Sequence, residues 1–453
     1  MSVNGMRVLV VGLARTGIAA ARFLSNRGAR VIGVDIRNRS DLETEFPEVS
    51  ELSIDLQVGG HHEEHFLHTD LIVVSPGVSP FIDPLVKARA LKIPIVSEIE
   101  LASWFISTPI VGVTGTNGKT TTALLIGEML REAGTRVFVG GNIGNPLINL
   151  VASDEKTDVA VIELSSFQLE GIQRFRPTIA VLLNISEDHL DRYASFDAYV
   201  ASKSRLFMNQ TASDFAVVNA SDPIARRVAS SSRARRVDFN VTENQRTGTL
   251  YDGRRIILRE RDREEIYDPG KSRLIGIHNI ENMMAAIVTA RLRGCPREVV
   301  QQTLETFHGL THRLEFVREV KGVSYFNDSK GTNVGAVVKS LQTFPGRIIL
   351  IAGGRDKGGD YSPLKEPIRE RVKHLIFIGE ARERMAHQLK DTAPFDLADS
   401  LQEAVDKAHC LAVPGDTVLL SPACSSYDMF RDYVERGDTF KARVERLVHS
   451  GEA

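Results

Sequence analysis

Ile110-Val111-Gly112-Val113-Thr114-Gly115-Thr116-Asn117-Gly118-Lys119-Thr120-Thr121 is the stretch that decides how this chain folds. A short apolar run ends in a glycine-bearing polar loop, and a helical pattern follows from Thr122 to Arg131, closed by Gly134. Strand, loop and helix in that order turn a Gly-Lys-Thr triplet into a phosphate cradle, although Val113 stands where the strict pattern has its first glycine. Glycines let successive backbone N–H groups face one anion, and the helix that starts at the lysine adds its positive end. Lys119 is then expected at the β/γ-phosphates and the Thr120 hydroxyl at a Mg²⁺, with Gly115, Thr116, Asn117, Gly118 and Thr121 completing an ATP loop.

The chain has 453 residues, enough for two to four domains by the usual domain size of roughly 100–200 residues. With 42% hydrophobic and 25% charged residues it has the composition of a soluble globular enzyme. A formal net charge of -2 gives no electrostatic case for nucleic acid or an anionic membrane. Three scattered cysteines argue against a disulfide framework or a zinc site. The apolar run Val8 to Val11 is broken by Gly12 and lacks the features of a signal peptide, and no later run reaches transmembrane length. The expected location is cytoplasmic.

Before the loop, Met6 to Val11 reads as a buried strand, followed by Gly12-Leu13-Ala14-Arg15-Thr16-Gly17 and a helix to about Asn26. A second strand, Ala29 to Val34, ends at Asp35, close to the Rossmann dinucleotide fingerprint. Ala14 occupies the middle glycine position, where backbone must approach a pyrophosphate, so the pattern is weak for NAD. What survives is a helix N-terminus offered to a diphosphate. Strands at Leu71–Val74, running into Ser75-Pro76-Gly77, and at Ile93–Val96 complete a first α/β domain over residues 1–97. Residues 98–309 form a central domain whose strands Ile110–Val113, Val159–Glu163, Thr178–Asn184 and Phe215–Asn219 end in polar residues, on the common edge of a mainly parallel sheet. Residues 310–453 repeat strand–helix alternation after a hairpin (Leu314–Phe326), with chemistry-capable loops after Ile348–Ala352, His374–Ile378 and Thr417–Leu420. The expected fold is α/β in three domains: Rossmann-like, then P-loop ATPase-type, then Rossmann-like again.

Phosphoryl transfer needs charge neutralisation, and Glu163 ends the strand expected beside the ATP loop, in reach of a metal. A strand-end glutamate facing solvent is the plainer alternative. His189 shares a loop with Glu187 and Asp188, which alone does not separate it from an incidental surface histidine. Tyr199 and Lys203 share one helix face, and a solvated lysine is the ordinary reading there.

The variant loop Thr114–Thr121 resembles that of the Mur ligases and their relative folylpolyglutamate synthetase, which make amide bonds through acyl phosphates. Glu163–Glu170, Asn184–Tyr193, Tyr199/Lys203, Gly276–Asn282, His312-Arg313, Asn327–Asn333 and Ser421–Tyr433 follow in the order and spacing of that family. The stretch Asn327-Asp328-Ser329-Lys330-Gly331-Thr332-Asn333 and the block Leu420–Ser426 resemble its D-glutamate-adding branch.

The resemblance implies ATP and two Mg²⁺, the first held by Thr120 and Glu163, the second by His189 and Lys203, with Lys203 carrying CO₂ as a carbamate. It makes Lys119, His189 and Lys203 catalytic, and brings Asn282, Arg313 and Asp328 to ATP. It places Arg15, Thr16, Asp35, Arg37, Ser75, Pro76, Gly77, Asn142, Ser165 and His189 on the UDP-linked substrate, and Lys330, Thr332, Lys357, Ser426 and Tyr433 on D-glutamate. Arg15 and Tyr433 depart from the side chains common at those positions. The implied partners are UDP-N-acetylmuramoyl-L-alanine and D-glutamate, in peptidoglycan precursor synthesis, with no nucleic acid or membrane and a monomeric chain. Another ligase of the superfamily, a nucleotide-dependent oxidoreductase and a non-catalytic ATP switch are the competing readings.

Overall fold

The computed structural model describes residues 2–447 apart from 154, 191, 261, 262, 273, 308, 310, 345 and 357. Lys357 therefore lies outside the described residues. Among those described, strands gather into sheets of five, nine and six. The first holds β1 (Arg7–Val11), β2 (Arg30–Asp35), β3 (Asp55–Val58), β4 (Leu71–Val74) and β5 (Ile95–Ser97), all parallel, in the order 3-2-1-4-5. The second runs through β6 (Ile110–Thr114), β7 (Val137–Gly141), β8 (Val159–Glu163), β9 (Ile179–Leu182), β10 (Phe215–Asn219), β11 (Arg235–Phe239), β12 (Thr247–Tyr251), β13 (Ile256–Glu260) and β14 (Arg263–Tyr267). Its order is 14-13-12-11-10-9-6-8-7, parallel from β7 to β12 and antiparallel beyond. The third holds β15 (Glu315–Val320), β16 (Val323–Asn327), β17 (Ile348–Gly353), β18 (Val372–Ile378), β19 (Phe395–Leu397) and β20 (Thr417–Leu420) in the order 15-16-20-17-18-19. Only β15 pairs antiparallel there. The three-domain α/β expectation is met.

Strands β6, β8 and β9 sit in the middle of the second sheet and are buried at every residue, because helices cover both faces. Val111 and Val113 point into a core shared with the helices Lys119–Glu132 and Ile277–Leu292. The opposite face belongs to an apolar cluster that continues into the first domain, from Val8 and Leu24 through Ile99, Leu101 and Ile148 to Ile162. The first and central domains thus share one core. The third domain has its own apolar clusters, and among the described residues none includes a residue of the central domain.

A short helix, Glu98–Ser103, makes the seam between the first two domains. Glu98 receives the Ile148 N–H at 2.5 Å, and burial pushes its carboxyl up to about 7. Glu100 is 0% exposed and collects three consecutive backbone N–H groups, from Gln173, Arg174 and Phe175, each at 2.8–2.9 Å. Its fourth donor, at 2.8 Å, is the indole N–H of Trp104, the chain's one tryptophan. A buried carboxylate so placed satisfies the backbone of an irregular turn that no strand pairs with.

Glu100→Ala should therefore leave four donors without their acceptor, the Phe175 N–H buried and the others part-buried, at a cost of about 1–3 kcal/mol. Urea unfolding followed by Trp104 emission should show a clearly lowered midpoint; an unchanged midpoint would remove Glu100 from this account.

Candidate active site

Three neighbouring segments build the phosphate loop. Gly118 starts the helix Lys119–Glu132 with φ +86°, and a Cβ there would stand 2.2 Å from Oδ1 of Asn282, so only glycine fits. Asn184, just beyond β9, grips the loop from behind, accepting from the Asn117 N–H at 2.9 Å and donating to the Asn117 carbonyl at 3.1 Å. The Thr116 hydroxyl meets the Tyr199 hydroxyl at 3.0 Å and also receives the Ser186 N–H. Lys119 folds over the loop, donating to the carbonyls of Gly115 and Thr116 at 3.0 and 2.8 Å.

Lys203 donates to the same Gly115 carbonyl at 2.9 Å, with its ammonium over the Tyr199 ring. It is 1% exposed, so the ordinary expectation of a solvated lysine fails. Burial above all, then the Lys119 charge, holds its pKa well below the ordinary lysine value. Among the described residues no carboxylate is within ion-pair distance of it.

Glu163 ends β8, paired in register with Val113 of β6, which brings its carboxylate to the loop. It accepts from the Thr120 hydroxyl at 2.7 Å, while Asn142 donates to its other oxygen at 3.0 Å. A hydroxyl and a carboxylate in contact suit a Mg²⁺, a hard cation that takes oxygen ligands. Among the described residues no three His, Cys, Asp or Glu side chains converge, so phosphate, hydroxyl or water oxygens would complete such an ion's shell. His189, at φ +55°, packs edge-on against Phe167 and lies 3.7 Å from Asp188.

The third domain brings Arg313, whose guanidinium donates to the Thr120 hydroxyl at 3.2 Å across the domain boundary. Asp328, past the end of β16, accepts from the hydroxyls of Ser340 and Ser421, each at 2.7 Å, and burial raises its pKa to about 6. Lys330 donates to the Tyr433 hydroxyl at 3.1 Å and lies over its ring; burial lowers its pKa to about 8. Ser426 is buried nearby in the loop after β20, where fully buried Arg436 binds the Cys424, Ser425 and Ser329 carbonyls. A crevice of about 50 Å³ runs between Gly118, Asn282, Arg313 and Asp328. Two of its buried atoms, Nδ1 of His278 and Nε of Arg313, have no hydrogen-bond partner among the described residues, which fits a ligand such as ATP. A wider cleft of about 720 Å³ opens between His189, Thr332, Val338 and Tyr361.

In the first domain, Asp35 is already committed. It accepts from the Leu13 N–H at 2.7 Å and forms a two-pronged pair with the Arg37 guanidinium, which keeps its pKa low despite burial. An acid bound this way is not held ready for the adenosine ribose of a dinucleotide, against the oxidoreductase reading. Arg15 is exposed at the start of the helix Arg15–Asn26, with Thr16 beside it, and Ser75 ties the next loop back by donating to the Gly12 carbonyl at 2.6 Å. Arg192, not foreseen from sequence, joins the two domains. It donates to the Pro76 carbonyl at 2.6 Å, pairs with Glu170 and covers the Phe167 ring. Asn142 and Ser165, expected at substrate, also do structural work: Asn142 steadies Glu163, and Ser165 caps the helix Ser166–Glu170 in a capping box. Asn184 and Asn333 fall within stretches that the sequence singles out but receive no role there: Asn184 opens the polar stretch after β9, and Asn333 closes the one after β16.

Three family models match in succession: "Mur ligase MurD-like, N-terminal domain" over residues 6–97, "Mur ligase middle domain" over 113–290, and "Mur ligase, glutamate ligase domain" over 312–424. Curated proteins named UDP-N-acetylmuramoylalanine–D-glutamate ligase from Geotalea uraniireducens and Geotalea daltonii are 52% and 51% identical, each over 99% of both chains. Among solved structures, a pseudomurein peptide ligase type C from Methanothermus fervidus shares the fold at TM-score 0.62 and 20% identity, covering 98% of this chain and 100% of that one. The MurF ligase of Thermotoga maritima, solved in complex with ADP, also gives 0.62, at 17% identity and 98% and 96% coverage. With matching models along most of its length and relatives at half identity, the chain belongs to the Mur ligase family.

Proposed function

We propose that this chain joins the alanyl carboxylate of UDP-N-acetylmuramoyl-L-alanine to the amine of D-glutamate, converting ATP to ADP and phosphate. The observation that carries the reading is convergence on one phosphate loop. Glu163 and Lys203 reach it from the central domain, Arg313, Asp328 and Lys330 border it from the third, and His189 lines the same wide cleft as Asn117. The Geotalea relatives bear this activity in their names.

A carboxylate is a poor acyl donor. Its oxygen attacks the γ-phosphorus, the bond to the bridging oxygen breaks and ADP leaves, giving an acyl phosphate. The D-glutamate nitrogen then attacks the acyl carbon and loses its proton, and the C–O bond to phosphate breaks. Lys119 leaves its loop carbonyls for the transferring phosphoryl group, and Arg313 neutralises charge from the opposite side. Thr120 and Glu163 would hold one Mg²⁺, and His189 with carbamylated Lys203 a second, supplying Lewis-acid neutralisation of the phosphate oxygens. Lys330, Thr332, Ser426 and Tyr433, with Lys357, form the D-glutamate side; Arg15, Thr16, Asp35, Arg37 and the Ser75–Gly77 loop form the UDP side. A third domain that presses on the loop keeps water from the acyl phosphate. The family resemblance implies a cytoplasmic monomer. Among the described residues no helix is long and apolar enough to cross a membrane.

The direct test is ADP release. It should be fast only when UDP-N-acetylmuramoyl-L-alanine and D-glutamate are both present, with L-glutamate and diaminopimelate inactive; equal release with ATP alone would overturn the reading. For Lys203, a lowered pKa supplies the neutral amine that CO₂ capture needs. Lys203→Ala should lose about a hundredfold or more in turnover and recover partly with formate or acetate. Wild-type enzyme in ¹³C-bicarbonate should show a carbamate resonance that the variant lacks. Full activity in Lys203→Ala would exclude any catalytic part for it.

A further inference from the structure

The third domain shares no apolar cluster with the central one, yet one side chain of the third domain touches both chemically important loops of the central domain. Asn333 follows β16 and precedes the helix Val334–Thr343, whose N-terminus its Oδ1 caps by accepting the Ala336 N–H at 2.8 Å. Its Nδ2 donates to Oδ1 of Asn117 in the phosphate loop at 3.1 Å and to the Asp188 carboxylate, beside His189, at 3.3 Å. The Asn117 amide returns a bond to Asn333 Oδ1 at 3.4 Å. Close by, Lys339 of the same helix pairs with Glu281 at 2.5 Å. Asn333 is 9% exposed, and its part-buried partners Asn117 and Asp188 stand with it on the wall of the wide cleft.

We propose that Asn333 is a positioning residue: it reads the phosphate loop and the Asp188–His189 turn together, and docks the amino-acid domain only when both are in register. The inference rests on the ligase reading. Its logic is the pairing of donors and acceptors. Asn117 and Asp188 belong to different loops, and a single amide can satisfy both only when their acceptors stand within one amide's reach. If either loop shifts, the third domain loses its contact with both, and the ammonium of Lys330 and the guanidinium of Arg313 withdraw with it. No substrate touches Asn333 in this role; it acts through Asn117 and Asp188.

Asn333→Asp separates this role from helix capping, because aspartate caps as well as asparagine. It removes the donor and sets a carboxylate against Asp188. With nucleotide analogue and UDP-substrate bound, wild-type protein should be compact in small-angle X-ray scattering and the variant expanded. The variant's kcat/KM for D-glutamate should fall about tenfold or more, from like-charge repulsion and the lost bonds. Its nucleotide Kd and melting temperature should stay at wild-type values. In an Asp188→Asn background, donor and acceptor are exchanged and the Asn117 amide can turn to donate, so Asn333→Asp should cost much less there. Wild-type kinetics in the single variant, a penalty of equal size in both backgrounds, or a lowered melting temperature would each overturn the inference. A wild-type protein that compacts but does not ligate would instead refute the ligase reading, which the scattering arm does not depend on.

Discussion

Two ammonium groups converge on one carbonyl oxygen, that of Gly115, and the geometry of the centre follows from it. Burial above all lowers the pKa of both lysines, helped at Lys203 by the Lys119 charge and at Lys119 by Arg313 and Lys330. Such a pair is tolerable where an anion is to be received. A triphosphate supplies one; a carbamate, by turning Lys203 from cation to anion, removes the conflict altogether. Much else serves to hold that carbonyl in place: Asn184 behind the loop, Thr116 on Tyr199, and Glu163 tied to Thr120.

The domains are joined by two different kinds of contact. The first and central domains share an apolar core and are joined by Arg192 and by the Ser97 N–H on the Gly171 carbonyl, so they form one packed unit. Among the described residues, the third domain meets this unit through amides, one ion pair and one guanidinium. Polar contacts cost little to break and remake in water, whereas an apolar core does not part without exposing its surface. Of the three domains, the third is therefore the one whose contacts with the rest part at least cost. The crevice of about 50 Å³ beside Gly118 and Asn282 has the third domain as one wall and shares Asn117, Asn184, Glu281 and Lys339 with the wider cleft.

The phosphate loop was legible because its signal is local: apolar strand, glycine, lysine, helix. Glu163 followed from it, since a fully apolar neighbouring strand must lie in the sheet's interior. The strands Asp55–Val58, Arg263–Tyr267 and Phe395–Leu397 escaped notice because each lies at a sheet edge, packs on one face and carries charge. Val137–Gly141, another edge, ends in two glycines, and Arg235–Phe239 opens on two exposed arginines. Lys203 read as solvated by its own helix, because the Tyr199 ring and the Gly115 carbonyl that bury it come together only in the fold. The two-sided use of Asn333 was illegible for the same reason: its partners lie far away in sequence, at Asn117 and Asp188.

At the centre of this account, the phosphate loop activates a carboxylate as an acyl phosphate. The measurement that meets that claim most directly follows oxygen. UDP-N-acetylmuramoyl-L-alanine carrying ¹⁸O in its alanyl carboxylate should, in the presence of ATP and D-glutamate, deliver one labelled oxygen to each phosphate released. Unlabelled phosphate, with both labelled oxygens accounted for elsewhere, would contradict it.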